Sequence, residues 1–123
     1  MTVTVDRESI YENFMNDEEL ITESIDIFME SSAARLEALR AAVKERDADK
    51  VMAEAHALKG VVGLFSPGDI FESAKTLEFM GRNKDLTGVD EAFADFEGKL
   101  GELKALLQQW LEEGFETEED DEE

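Results

Sequence analysis

The sequence predicts an all-α protein, an antiparallel four-helix bundle, and three observations carry that expectation. Apolar residues recur in steps of three and four along most of the chain. Short polar stretches rich in helix-capping residues interrupt these stripes. Nothing alternates with period two beyond the opening Thr-Val-Thr-Val, which is too short to count as a strand. At 123 residues the chain fits one domain, large enough to bury a core without disulfides or metal.

Residues 5 to 15 are expected to add a short lead-in helix. The first long stripe is Ile21, Ile25, Phe28, Ser32, Leu36, Leu39 and Val43, with Asn16 or Asp17 as its cap and acids in its first turn. Asp47 and Asp49 mark a break before the second stripe, Val51, Ala55, Leu58, Val62 and Phe65. Ser66-Pro67-Gly68-Asp69 reads as the next start, with Ser66 as the cap, Pro67 at the first helical position and an acid three residues after the cap. The third helix runs through Ile70, Ala74 and Leu77 towards Gly81. Thr87-Gly88-Val89-Asp90 repeats the capping logic before Val89, Phe93, Phe96, Leu100, Leu103, Leu107 and Trp110. Four such helices on short connections bury their stripes on one another. The expected division is a bundle over residues 1–112 and a disordered acidic tail over 113–123, because a run of like charges buries nothing.

The formal net charge is −20, which argues against nucleic acid or an anionic membrane as partner, since both need a basic footprint. Residues 112–123 hold nine acids and no base, under half of the excess, so the rest is acidic too. With no cysteine, disulfides, thiolate chemistry and cysteine-built zinc sites are excluded. The N-terminus lacks a signal-peptide pattern and no apolar run is long enough to span a bilayer, so a cytoplasmic protein is expected. No hydrophobic surplus asks for a dimer, and a monomer is expected.

His56 is the only histidine, within His-Ala-Leu-Lys-Gly at 56–60. Helical stepping puts it about 140° from the middle of the buried arc of its own helix, outside the core. Lys59, Gly60 and Gly63 fall near it on that second face. Each glycine costs about 1 kcal/mol against alanine inside a helix, so the pair implies close approach of another body or tight packing of a neighbouring helix. A hairpin about Pro67 brings His56 level with Glu78 and Lys59 level with Lys75. A carboxylate on Nδ1 would fix the tautomer and leave Nε2 exposed, and two lysines could hold an anion. The competing reading is a solvated helix face, with Glu78 turned to water or paired with Lys75 or Arg82; spacing alone favours that reading.

The segment 28–78, and roughly positions 20 to 110 around it, resembles the histidine-containing phosphotransfer (HPt) domains of two-component phosphorelays. His56, Leu58, Lys59 and Gly60 match its most specific motif, followed by a small residue at Gly63, an apolar one at Phe65 and the pair Leu77-Glu78. Ser66-Pro67 departs from the Gly-Ala common in the family, and Val61-Val62 from its serine or alanine. The resemblance implies that His56 takes a phosphoryl group from a receiver-domain aspartate or a histidine kinase and passes it to a receiver aspartate. Mg²⁺ would come from the receiver, so no metal site or other cofactor is expected here. Gly60 and Gly63 would admit the receiver's loops, and Glu78 would pair with the ring as in some family members. The chain would be a stoichiometric carrier without turnover of its own. The alternatives are a helical interaction module of the same ancestry that carries no phosphoryl group, a polyacidic mimic or chaperone-like tail, and a hydrolase using paired carboxylates, for which chance pairs among 32 acids give no signal.

Overall fold

The computed structural model describes residues 3–115, and among them five helices and no strand. The lead-in helix α1 spans Arg7–Asn13; the bundle helices are α2 (Glu18–Glu45), α3 (Ala48–Gly63), α4 (Asp69–Arg82) and α5 (Val89–Glu113). They pack in a closed ring, α2 on α3, α3 on α4, α4 on α5 and α5 back on α2. Cross-helix ion pairs run in opposite senses along the chain, Arg46 with Asp90 and Arg40 with Glu97, as antiparallel neighbours require.

Every residue of the four stripes is buried except Leu36, which is half-buried. The core is therefore the helical periodicity made solid, and burial of these side chains supplies the main stabilising term. Ser32 is the one polar residue in the stripes; its hydroxyl donates back to the Met29 carbonyl. Asp6, Asp17 and Asp47 cap α1, α2 and α3, each accepting a hydrogen bond from the backbone N–H three residues on.

Two expected caps are corrected. Neither α4 nor α5 has a side-chain cap, and their N-cap positions are Gly68 and Gly88. Ser66 is buried, and its hydroxyl donates instead to the Thr4 carbonyl at 2.7 Å. That bond ties the extended N-terminal segment, with buried Val3, across the α3–α4 connection. Pro67 consequently precedes the helix by two residues rather than opening it. At α5, Gly88 adopts a left-handed φ of 81°, which closes the turn, and Asp90 and Glu91 supply the first-turn charge that the dipole favours.

The helices α3 and α4 approach closely at Gly81, where a Cβ would lie 2.5 Å from the Met52 nitrogen and 2.6 Å from the Ala48 carbonyl oxygen. No side chain fits there. Gly81 lets the C-terminal end of α4 lie against the start of α3, which sets the two helices close enough for side chains to meet across them.

The boundary at residue 112 is also corrected. Glu113 still belongs to α5 and pairs with Arg7 at 2.8 Å, while Phe115 is buried, edge-on to Trp110 at 4.9 Å between centroids and 6.5 Å from Tyr11. The bundle thus runs three residues further than charge alone suggests. The remainder of the expected tail, residues 116–123, lies outside the described residues.

Candidate functional site

The α3–α4 hairpin builds the site. His56 sits on α3 away from the buried stripe, and its side chain is 67% exposed. Glu78 projects from α4 and is buried, its side chain only 3% exposed. Their heights match across the hairpin, and His56 Nδ1 lies 2.8 Å from Glu78 Oε2. The pairing expected from symmetry about Pro67 is present.

A buried carboxylate needs compensation, and Glu78 finds three partners. Lys59 Nζ is 2.7 Å from Oε1, and Arg82 Nη2 is 2.9 Å from Oε2, the oxygen that also faces the imidazole. Burial pushes the Glu78 carboxyl up, but hydrogen bonds from Lys59 and His56, with their charges, outweigh it and hold the carboxyl below the usual carboxylate range. Glu78 is therefore ionised at neutral pH and can only accept. That settles the direction of the bond to the ring: Nδ1 carries the proton and donates, so the neutral imidazole presents the lone pair of Nε2 to solvent.

Of the alternatives for Glu78, the turn to water is excluded by its burial, while the pair with Arg82 is compatible with the contact to His56. It pairs with Arg82 on its own helix and with His56 across the hairpin at once. Arg82 was visible in the sequence only as an i+4 partner, and its place beside the imidazole depends on the helix pairing. Lys59 differs from expectation too. Its side chain is only 23% exposed, anchored on Glu78 and 5.9 Å from the centre of the Phe71 ring. It is a fixed counter-charge to a buried acid, where the sequence offered it as one of two lysines that could hold an anion. Lys75 is exposed and takes no part in the ion pairs of Glu78.

The two glycines separate. Nothing lies within 4 Å of a Cβ built on Gly60, so the surface next to His56 is open. At Gly63 such an atom would meet the Phe71 ring at 3.2 Å, so this glycine seats a neighbouring side chain. Phe71, not singled out from the sequence, packs against both Gly63 and Lys59. Leu64 and Phe79, on the same two segments, leave large apolar surfaces exposed.

A second polar cluster joins α4 to α5. Ser73 donates to Asp95 at 2.8 Å and accepts from Lys99 at 2.9 Å, with Lys99 also 3.1 Å from Asp95. The Ser73 hydroxyl and Lys99 hold the Asp95 carboxyl below the usual carboxylate range, which makes the cluster a structural tie. Among the described residues no group of three or more histidine or acidic side chains is placed to hold a metal, and no helix is long and apolar enough to cross a membrane.

Comparison with known proteins agrees with this geometry. The profile of the Hpt domain family matches residues 23–113. Among solved structures, histidine-containing phosphotransfer protein B (HptB) from Pseudomonas aeruginosa PAO1 superposes with a TM-score of 0.79 at 23% sequence identity, covering 85% of this chain and 91% of that one. At that identity the likeness is one of fold. A comparison with curated proteins gives no significant match.

Proposed function

Because the chain belongs to the Hpt domain family, whose members are histidine phosphocarriers of phosphorelays, we propose that His56 is its phosphoryl-bearing residue and Nε2 the atom that bears the group. The observation that carries this reading is an exposed imidazole whose Nδ1 donates at 2.8 Å to a buried, ionised glutamate. In transfer from a receiver, the Nε2 lone pair attacks the phosphorus of the aspartyl phosphate. The P–N bond forms as the P–O bond to the aspartate breaks, and the electron pair leaves on that carboxylate. The ring becomes cationic, and Glu78 stabilises it through the Nδ1–H. Onward transfer to another receiver aspartate reverses these steps.

The remaining roles follow from position. Glu78 orients the ring, and Lys59 and Arg82 hold Glu78 ionised while placing positive charge near an incoming phosphoryl group of about −1.5 to −2. The open surface at Gly60 admits the partner's loops. Mg²⁺ belongs to the receiver in this scheme, and the chain acts as a stoichiometric, monomeric, cytoplasmic carrier between kinases and receiver domains.

The test is phosphorylation of the His56→Gln variant. Incubation with a phosphorylated receiver should give acid-labile, alkali-stable phosphate on the wild-type protein and none on the variant. The variant should fold normally, since the side chain lies off the core. Undiminished labelling of it would overturn the assignment.

A further inference from the structure

The end of the bundle closed by α1 carries a cleft of about 500 Å³ that shares no residue with the His56 cluster. Its walls are Tyr11, Trp110 and Phe115, and Glu8 and Glu12 stand at its rim. Arg7 already shows what this environment accepts. Its guanidinium lies 5.6 Å from the centre of the Trp110 ring and is paired with Glu113. With Arg7 neutralised in this way, the two rim carboxylates have no cationic partner among the described residues. Trp110 and Phe115 are buried and Arg7 covers the indole, so the half-buried Tyr11 is the aromatic surface that packs the aliphatic stem of an incoming cation, and the rim carboxylates fix its charged head.

We propose that this cleft is a docking site for a basic segment of a partner protein, one presenting arginine or lysine between apolar residues. Charge complementarity selects that occupant. The chain carries −20, so a second copy and an anionic membrane are both repelled. The sequence that continues from Phe115, on the wall of the cleft, adds seven acids in its last eight residues. The inference is independent of phosphoryl transfer, because none of these residues approaches the imidazole.

Trp110 is the only tryptophan, so its emission reports on the cleft directly. The full-length protein is titrated with a short peptide of alternating arginine and leucine, free of aromatic residues, and with the same peptide carrying glutamate for arginine. The arginine peptide should change Trp110 emission saturably, with an affinity that falls as salt rises, and the glutamate peptide should do nothing. The double variant Glu8→Gln/Glu12→Gln, exposed at both positions and checked for unchanged helicity, should bind about ten-fold more weakly, as the loss of two solvent-facing charge contacts allows. A chain ended after Phe115 should still bind. Loss of binding on that truncation, with no effect of the glutamate changes, would place the peptide on the acidic sequence and overturn the proposal. So would an unchanged Trp110 signal, or chemical-shift changes in the wild-type chain that avoid Trp110 and Phe115.

Discussion

Replacing Glu78 separates its service to the fold from its service to His56. The side chain is 3% exposed and accepts from His56, Lys59 and Arg82. Glu78→Gln keeps the volume and one acceptor but removes the charge; Glu78→Ala removes both. A hydrogen bond to an ionised group contributes roughly 1.5–3 kcal/mol net. Lys59 and Arg82 retain 23% and 53% of their exposure and regain hydration when freed, which offsets part of the loss. The alanine variant should therefore lose about 3 kcal/mol, one such bond plus the cavity. For a chain of this length that lowers Tm by about 12 °C. At the ring, a single charge-assisted bond selects the Nδ1–H tautomer. Exposure of the imidazole sets it at the low end, about 1.4 kcal/mol, or about ten-fold in preference. Transfer from a phosphorylated receiver should slow about ten-fold in Glu78→Ala and less in Glu78→Gln. Rapid-quench transfer kinetics, ¹⁵N shifts of the imidazole and thermal melts read the three effects separately. A folded Glu78→Ala with wild-type ring shifts and wild-type transfer would refute the orienting role and leave the carboxylate as a clamp between helices.

Three further outcomes are expected. Gly81→Ala, whose Cβ would meet backbone atoms of Ala48 and Met52, should lose about 2–3 kcal/mol and about 10 °C in Tm, and should slow transfer by displacing Glu78; a wild-type melt would show that the helices part freely. A chain ended after Phe115 should melt like the full protein, whereas one ended after Glu113 should lose the roughly 1.5–3 kcal/mol of a buried phenylalanine, measured by thermal denaturation. Because Glu78 is held below its ordinary value of 4.5 in the folded chain, its contribution is present above that pH and is lost as pH falls through the lowered value. Melts across acid pH should show this loss, and Glu78→Gln should flatten it.

The parts of the fold set by local periodicity were legible in the sequence. A stripe such as Val89 to Trp110 has one low-energy use, and the structure makes that use of it. Asp47 was legible as the break before α3 for a similar reason, since its carboxylate reaches the free N–H of Lys50 in the first turn. Ser66 was not, because its hydroxyl is claimed by the Thr4 carbonyl, a partner 62 residues away that no local rule can see. Phe115 looked like a lone apolar residue in an acidic run until α1 supplied Tyr11 and α5 supplied Trp110. At the site, the level pairing of His56 with Glu78 follows from hairpin symmetry and was legible. The recruitment of Lys59 and Arg82 to one carboxylate was not, because it depends on how deeply Glu78 is buried. Gly81 was read as a helix end, since only the packed backbone of α3 reveals why no side chain can stand there.

The four side chains of the site all lie between positions 56 and 82, on two helices joined by the short connection 64–68. The entropy of closing such a loop grows only slowly with its length, and short closures come early in folding. The reactive pair is thus part of a single local unit, assembled with little dependence on contacts distant in sequence. The α1 helix and the last turn of α5, by contrast, are joined across nearly the full length of the chain by the pair of Arg7 with Glu113. Opening at that end is expected to be a separate fluctuation that leaves the imidazole undisturbed, and faster amide exchange in α1 than in α3 and α4 would show it. A carrier that must be ready whenever a partner arrives keeps its reactive geometry in the most local contacts of its fold, and leaves its long-range closures to the end that can loosen.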